Sequence, residues 1–488
     1  MSAGGAVWTM PRAVSATSAR ERLPWAVMLV LAYLGAITIF GKGPTYLGYP
    51  PLYWGELVMV AAVVWLVNER GLAKAFLPDS QPLTLLILGF MGLAAALVLR
   101  GLPQWGELAI RDAAMCYYAV FYFVGYELAR KRELGDRVWR IFTGFWLLSM
   151  VWTMIDLSLP EEHRISRMGP MIPWRDISVF WSSHKELVQH MGLATILVFG
   201  RWYPQKWRRY HWLWAPAGVY ALLLAAASQG RAEKLSIAAA WGIMLLFRFA
   251  PGRPPRASKA AFQAGFVGAI VVLAVVLLAP AVLKEAASAG NFDRFSEAAP
   301  GEVRGTSLWR LVWWKQLVKV TLREHPVWGL GYGTDLSYYN HYLRRLDEGA
   351  WPTRSPHNFN MTVFSRMGLL GLALWAAILL LGVGGLLWRA WRNRAGNRVL
   401  EPDERAELIF WAAMLAATWV NSSLGVLMEG PVLGIWFWFA LGFGSARAFR
   451  AFAEPVESRA LAGPYQPRNA DRESTSPSQM HAGYSTAS

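Results

Sequence analysis

The sequence predicts an all-α polytopic membrane protein of about 12 transmembrane helices, with a large, partly helical loop outside the membrane between helices 9 and 10. Three observations support this fold class. Hydrophobic residues make up 55% of the 488 residues and charged residues only 16%, which is typical of membrane proteins with several spans. Apolar runs recur about every 25 residues. Lys and Arg are concentrated between these runs, as they are in cytoplasmic loops.

Each apolar run is close to the length of about 20 residues that a helix needs to cross a bilayer. The first run ends in Gly-Lys-Gly-Pro without a small-residue cleavage site, so it is predicted to be a membrane helix rather than a removable signal. The predicted spans are Trp25–Phe40, Leu52–Val67, Leu83–Leu99, Ile110–Leu128, Val138–Leu157, His184–Gly200, Trp212–Ala227, Leu235–Phe249, Gln263–Leu283, Asn358–Trp388, Ala406–Val420 and Val432–Ala448.

The charges of the loops predict the orientation of the chain. Cations cluster in alternate loops, whereas the short loops 41–51 and 421–431 hold almost none. By the positive-inside rule both termini are cytoplasmic, and the loops 158–183 and 284–357 lie outside. The predicted organisation is a cytoplasmic segment 1–22, helices 1–9 in 23–283, the outside loop 284–357, helices 10–12 in 358–453, and a disordered cytoplasmic tail 454–488 rich in Ser and Pro.

Composition also excludes several classes of function. The formal net charge of +16 would suit nucleic-acid binding, but the cations lie in loops between apolar runs, so we expect no nucleic-acid partner. The single cysteine, Cys116, lies inside an apolar run, which excludes an intramolecular disulfide and a Cys-rich metal site. No paired carboxylates or acidic metal-binding cluster stand out in the outside loops.

The large outside loop carries a dense set of Arg, His, Gly and Trp residues, and it begins with a helix predicted over Ser307–Glu324. A basic stripe on one side of this helix comprises Lys315, Lys319 and Arg323. Arg310 lies on the opposite, apolar side, with Trp313, Trp314 and Leu317 at its i+3, i+4 and i+7 positions. In one interpretation, the aliphatic part of the side chain covers apolar surface while the guanidinium reaches water. In the other, the planar guanidinium binds an anion such as a phosphate.

Three short motifs follow or complete this helix. His325-Pro326 ends it, and the glycines of the sequence GLGYG (Gly329 to Gly333) make a turn whose backbone amides could approach a phosphate. His357-Asn358 then stands directly before the next apolar run. The sequence alone is equally consistent with a histidine that has no catalytic role and places its polar imidazole at the membrane surface.

With these motifs, the chain resembles the O-antigen ligase and polymerase superfamily. The resemblance rests on Arg-x-x-x-Trp (Arg310, Trp314), on the His-Pro and its glycine-rich turn, and on His-Asn opening a membrane helix that continues Arg-Met-Gly-Leu-Leu-Gly (Arg366–Gly371). The close match spans roughly residues 304–375, and the layout of spans and loops agrees along most of the chain. The resemblance implies a bacterial inner-membrane enzyme that transfers a glycan from undecaprenyl diphosphate on the periplasmic face.

This chemistry needs cations to hold a diphosphate and a base to take a proton from an acceptor hydroxyl. Arginine serves the first task, and histidine the second, because its unperturbed pKa is about 6.5. The predicted catalytic residues are His357, Arg310 and Arg231. Arg231 follows Ser228 in a Ser-x-x-Arg turn where the family carries a functional arginine, although by itself it is equally an interfacial anchor. Its neighbour Glu233 is interpreted as a helix-end charge.

Further residues of the outside loops are predicted to bind substrate. They are Asn358, Trp314, His325, Gly331, Arg167, Arg175 and Lys185. The pair Arg111-Asp112, at the outer end of the fourth span, is either a local ion pair or part of a cleft. The resemblance implies a metal-independent enzyme without a cofactor. Its expected partners are the undecaprenyl diphosphate-linked glycan donor, a lipid A-core or glycan acceptor, and membrane lipids.

Alternative functions remain open at this point. Ligation to lipid A-core, polymerisation of repeat units and transfer to protein by an O-oligosaccharyltransferase share the donor and differ in the acceptor. We favour the ligase, because one arginine-rich outside loop and a single His-Asn motif resemble that branch. A transporter or flippase also commonly has twelve spans, but the large outside loop and the lack of two similar halves argue against it.

Overall fold

The computed structural model of the chain describes residues 23–49, 52–77, 81–173, 177–181, 216–223, 231–249, 308–339, 354–392 and 402–453. This part of the protein is almost entirely α-helical, as predicted. Its strands are two short antiparallel pairs, Gly48–Tyr49 with Leu52–Tyr53 and Met171–Ile172 with Ile177–Ser178.

The long helices follow the predicted apolar runs, and several of them are a turn or more longer at one end. In chain order they are α1 Trp25–Phe40, α2 Trp54–Arg70, α3 Leu72–Phe76, α4 Pro82–Trp105, α5 Glu107–Asp112, α6 Ala114–Tyr117, α7 Val120–Arg130, α8 Arg132–Ser158, α9 Ile165–Met168, α10 Arg231–Phe249, α11 Leu308–Glu324, α12 Phe359–Leu379, α13 Gly385–Arg392, α14 Pro402–Ser422 and α15 Pro431–Ala453. Residues 216–223 are also helical. Short 3-10 turns occur at Gly43–Tyr46, Glu161–His163, Leu336–Tyr339 and Leu427–Glu429, and the π-helical segment Leu380–Gly384 joins α12 to α13.

Three of the described helices are long and apolar enough to cross a membrane, namely Pro82–Trp105, Arg132–Ser158 and Phe359–Ala390. The helix Trp25–Phe40 is shorter but also apolar. The predicted spans His184–Gly200 and Gln263–Leu283 lie outside the described residues, as do most of Trp212–Ala227, the segment 1–22 and the tail 454–488. The total of 12 spans and the outside position of the large loop therefore stay predictions.

The predicted span Ile110–Leu128 differs from the structure, which divides this run into α5, α6 and α7. The break is buried within the bundle, where the indole Nε1 of Trp438 donates a hydrogen bond to the Met115 carbonyl at 3.1 Å. Irregular backbone is tolerated at membrane depth only where such protein groups satisfy it. The run contains no Pro, so its sequence shows no sign of the break.

Helices α7 and α15 form the closest helix pair in the described core. A side chain at Gly125 would overlap the Phe439 carbonyl, and one at Gly442 would overlap the Tyr122 carbonyl. Small residues allow two membrane helices to approach in this way. Aromatic rings fill the surrounding space, as where Phe142 meets Trp436 edge-on at 5.0 Å.

Helix α12 is broken at Gly368, where φ is 66° and ψ is −161°. The predicted span Asn358–Trp388 agrees with the apolar helix Phe359–Ala390 in extent, but the sequence did not predict the kink at Gly368. The glycine-rich turn after α11 enters the break and replaces the missing helical hydrogen bonds. Its bonds to α12 are Leu330 N to Ser365 O (2.7 Å), Gly331 N to Arg366 O (3.1 Å), Leu369 N to Pro326 O (2.8 Å) and Leu370 N to Val327 O (3.2 Å).

Candidate functional site

The site is built around α11, whose predicted bounds are confirmed to within one residue. The predicted basic stripe, formed by Lys315, Lys319 and Arg323, is exposed. The opposite face is apolar and packs inward, with Trp313 and Leu317 fully buried against Leu336. The helix is thus amphipathic, and its orientation follows from the burial of this face.

Two tryptophans connect α11 to two segments that follow it in the chain. The Trp313 indole donates to the Leu336 carbonyl at 3.0 Å. The Trp314 indole donates to the Pro356 carbonyl at 2.7 Å. Since Pro356 directly precedes His357, this second bond holds α11 next to the predicted catalytic histidine.

His357 lies in a turn with an unusual backbone. Its φ of 55° is the only positive value at a non-glycine residue in the described chain. The left-handed conformation costs an L-residue roughly 1–2 kcal/mol, and it persists where surrounding contacts impose it. One such contact is the hydrogen bond from the His357 amide to Ser355 Oγ, at 3.2 Å.

The next residue, Asn358, caps α12. Its side-chain Oδ1 accepts a hydrogen bond from the Met361 amide at 3.2 Å, as expected of an Asn N-cap. His357 therefore stands at the positive end of the helix dipole, where unpaired amides favour anions. Asn360, two residues further on, donates to Ser423 Oγ at 2.9 Å and connects α12 to the loop after α14.

Arg310 is half-buried on the inner side of α11. Its Nη1 donates to the Leu424 carbonyl at 2.9 Å, which fixes the direction of the guanidinium. Burial lowers the pKa of Arg310 from its ordinary value, and the nearby Glu233 carboxylate opposes this shift. An arginine nevertheless stays charged, so this part of the site keeps a fixed positive group.

The interaction with Glu233 also connects α11 to α10. Glu233 is 2% exposed and lies in the first turn of α10, which begins at Arg231. The structure therefore brings the helix start that carries Arg231 close to Arg310. Glu233 is the helix-end charge that the sequence suggested, and it is also a buried interaction partner of Arg310.

An ion-pair cluster holds the glycine-rich turn against α5 and α12. Asp112 Oδ2 pairs with Arg366 Nη2 at 2.8 Å and with Arg354 Nη2 at 3.0 Å. Arg366 Nη1 also donates to the Gly331 and Thr334 carbonyls, each at 3.1 Å. Asp112 thus pairs with distant arginines of the loop and of α12. A buried cluster in which each charge has partners is costly to break.

A second carboxylate lies on the other side of the His357 turn. Glu429 Oε1 accepts hydrogen bonds from Ser355 Oγ at 2.8 Å and from Thr362 Oγ1 at 2.7 Å. Burial raises the pKa of Glu429 from its ordinary value, while the bonds from Thr362 and Ser355 and the charge of Arg366 oppose that shift. The loop between α14 and α15 therefore contacts the segments on both sides of His357.

The structure gathers several predicted site residues in one region, namely Arg310, Trp314, Gly331, His357 and Asn358. His325 is exposed and closes α11, because its amide donates to Thr321 O at 3.0 Å and its carbonyl accepts from the Gly329 amide at 2.8 Å. The Gly331 amide is bonded to Arg366 O, so the hydrogen bond proposed for a phosphate is already made within the protein.

The remaining predicted binding residues belong to the first outside loop. Arg167 is exposed at the end of α9, on a segment separate from α11 and α12. Arg175 and Lys185 lie outside the described residues. Binding roles for these three stay predictions.

Sequence reasoning missed Glu233, Glu429, Arg354 and Arg366 as parts of this region. A usable signal was present for two of them. Arg366 stands inside an apolar run, and an ionisable residue in a membrane helix is usually paired or functional. Glu429 is an acidic residue in an otherwise apolar loop that is also predicted to lie outside.

Among the described residues, no group of three or more His, Cys, Asp and Glu side chains is placed to hold a metal ion. The side chains gathered here are arginines, hydroxyls, amides, carboxylates and one histidine. Together they can bind an anion and accept a proton.

Comparison with known proteins adds a family assignment. Residues 216–376 match a family model described as O-antigen ligase, and no curated protein matched the chain. The matched segment includes α10, α11, the glycine-rich turn and most of α12, whereas Asp112 and Glu429 lie outside it. The match supports a membrane glycosyltransferase of the O-antigen ligase or polymerase type. Residues 216–376 are thus similar to the O-antigen ligase family, and this match supports the superfamily that the motifs indicated.

Proposed function

We propose that the protein transfers a glycan from undecaprenyl diphosphate to an acceptor hydroxyl on the periplasmic face of the bacterial inner membrane. The acceptor that we favour is lipid A-core, which makes the protein an O-antigen ligase. The family match supports the general reaction, and the arrangement around α11 supports the choice of residues. No metal ion or cofactor takes part in the proposed reaction.

The donor diphosphate binds at Arg310 and Arg231. A guanidinium offers five N–H donors in a planar fork that suits phosphate oxygens. The bond to Leu424 holds Arg310 in one direction before the donor arrives, so less ordering is needed when the donor binds. As the glycosyl bond breaks, negative charge grows on the departing diphosphate, and fixed cations stabilise it.

The acceptor hydroxyl loses its proton to His357. The hydroxyl oxygen forms a bond to the anomeric carbon of the glycan, and the bond from that carbon to the diphosphate oxygen breaks. The proton passes to the imidazole, and the electron pair of the broken bond leaves with undecaprenyl diphosphate. Trp314 and Asn358 hold the two sides of the histidine turn.

One observation carries this proposal beyond the family match. The Trp314 indole, one turn after Arg310 on the same helix, donates to the carbonyl that precedes His357. The anion-binding group and the base are therefore carried by segments in direct contact, as a reaction between two bound substrates requires.

The test is a transfer assay with purified protein and an undecaprenyl diphosphate-linked glycan. His357→Ala should lower turnover by about 100- to 10,000-fold, the usual worth of acid–base assistance, while donor affinity changes little. His325→Ala is the matched control and should have a mild effect, because His325 is exposed at the end of α11. Full turnover of His357→Ala would contradict the proposed base, and loss of activity with EDTA would contradict metal independence.

The acceptor is tested in a deletion strain. A ligase predicts loss of polymer from lipid A-core while carrier-linked chains persist. Single-repeat products would instead identify a polymerase, and loss of protein-linked glycan would identify an O-oligosaccharyltransferase.

A further inference from the structure

We propose that Glu429 is a positioning residue, which holds His357 in its reactive conformation through the hydroxyl groups of Ser355 and Thr362. The proposal rests on the role of His357 in the proposed function. It assigns a task to a residue that lies beyond the segment matched by the family model.

The first step is a chain of hydrogen bonds that leads from the His357 backbone to Glu429. The His357 amide donates to Ser355 Oγ at 3.2 Å. Ser355 Oγ in turn donates its proton to Glu429 Oε1 at 2.8 Å. A hydroxyl has one proton and two lone pairs. Because the carboxylate takes the proton, the lone pairs of Ser355 face the His357 amide.

A second bond holds the turn from its other side. Thr362 Oγ1 donates to the same Glu429 oxygen at 2.7 Å and also lies 3.2 Å from the Asn358 carbonyl. Glu429 thus joins the residue two positions before His357 to the first turn of α12. Both bonds act on a backbone whose φ of 55° favours glycine, and such a conformation needs surrounding contacts to persist.

The loop that carries Glu429 also reaches the proposed anion-binding group. Leu424, in the same loop between α14 and α15, accepts the hydrogen bond from Arg310. Ser423 accepts one from Asn360 of α12. The loop is therefore a shared support for the base and for the donor-binding arginine, and Glu429 is its contact nearest to the histidine turn.

The experiment compares Glu429→Ala with Glu429→Gln in the purified full-length enzyme. Glutamine keeps an oxygen that accepts from both hydroxyls but carries no charge. Removing the anchor should lower kcat of Glu429→Ala by about 10- to 100-fold, the scale expected for a small misplacement of a catalytic group. The donor KM should change little, and Glu429→Gln should recover most of the lost turnover. Glu107→Ala, an exposed carboxylate at the start of α5, is the control.

Each other outcome has a definite meaning. Normal kcat in Glu429→Ala overturns the proposal, provided that His357→Ala is inactive in the same assay. An equal loss of kcat in Glu429→Ala and Glu429→Gln also overturns the proposal, because the enzyme would then require the charge of Glu429 rather than its hydrogen bonds. Full turnover of His357→Ala contradicts the proposed function itself, whatever Glu429 does.

Variants of Ser355 replace this test if Glu429→Ala does not give a monodisperse protein. Ser355→Ala removes the link between Glu429 and the His357 amide but leaves the carboxylate bonded to Thr362. It should lower kcat with little change in donor KM, and adding Glu429→Gln should lower it no further. Unchanged kcat in Ser355→Ala would overturn the proposal.

Discussion

Replacing Gly368 by alanine should displace the glycine-rich turn from its contact with α12 and destabilise the protein. Gly368 has φ of 66° and ψ of −161°, a region that is essentially restricted to glycine. A Cβ there would also overlap the Val327 carbonyl oxygen and would lie 2.6 Å from the Gly329 nitrogen. These are backbone atoms, so no side-chain rotation relieves the overlap.

The expected loss of stability follows from these two effects. The backbone conformation alone costs about 1–3 kcal/mol for an L-residue. Relief of the overlap requires the turn to move, which breaks the bonds from Leu369 and Leu370 to the turn. Each is worth about 0.5–1.5 kcal/mol, and more where the freed group stays buried. We therefore expect Gly368→Ala to cost about 2–6 kcal/mol in total.

Gly71→Ala is the matched control for this variant. Gly71 has φ of 72° and ψ of 156°, close to the values of Gly368, but a Cβ there meets no atom within 4 Å. It should carry only the conformational cost of about 1–3 kcal/mol. Thermal unfolding in detergent, followed by size-exclusion chromatography, measures both variants. Equal loss of thermal stability in the two would refute the view that the turn and α12 are locked by close backbone contact.

Two further predictions concern the site and its orientation. Lysine in place of Arg310 or Arg231 keeps the positive charge but loses the planar array of donors, so glycan transfer should fall strongly while membrane insertion is unchanged. Near-normal transfer in both variants would mean that the two arginines are interfacial anchors. Cysteine labelling in intact cells and inverted vesicles should place Gly331 and His357 outside and Lys131 inside, and labelling of Gly331 from the cytoplasmic side would contradict both the orientation and the assigned active site.

The sequence was most informative where a local pattern decides the structure. The bounds Trp25–Phe40 match those of α1, because an uninterrupted apolar run specifies a helix without help from distant residues. The same holds for α11, where the spacing of Trp313 and Leu317 identified the buried face. The position of Asn358 at a helix start was likewise readable from the change in polarity that follows it.

Contacts between distant segments were not readable in this way. The partners of Asp112 are separated from it by about half of the chain, and no periodicity relates them to one another. The break at Gly368 lies in an apolar run where a membrane helix also tolerates glycine, so composition gave no reason to divide it. Glu429 was overlooked because the loop 421–431 was used only to predict the orientation of the chain, for which its lack of cations was the relevant property.

The ion pair between Asp112 and Arg354 joins residues 242 positions apart, which has a consequence for the biogenesis of the enzyme. During synthesis Asp112 is translated long before the loop that supplies its arginine. The Asp112 carboxylate has no arginine partner until that loop is translated. The histidine turn gains its hydrogen bonds to Glu429 only after the still later loop between α14 and α15 is translated. A nascent chain therefore has no assembled centre, and the site is complete only after the loop between α14 and α15 has been synthesised.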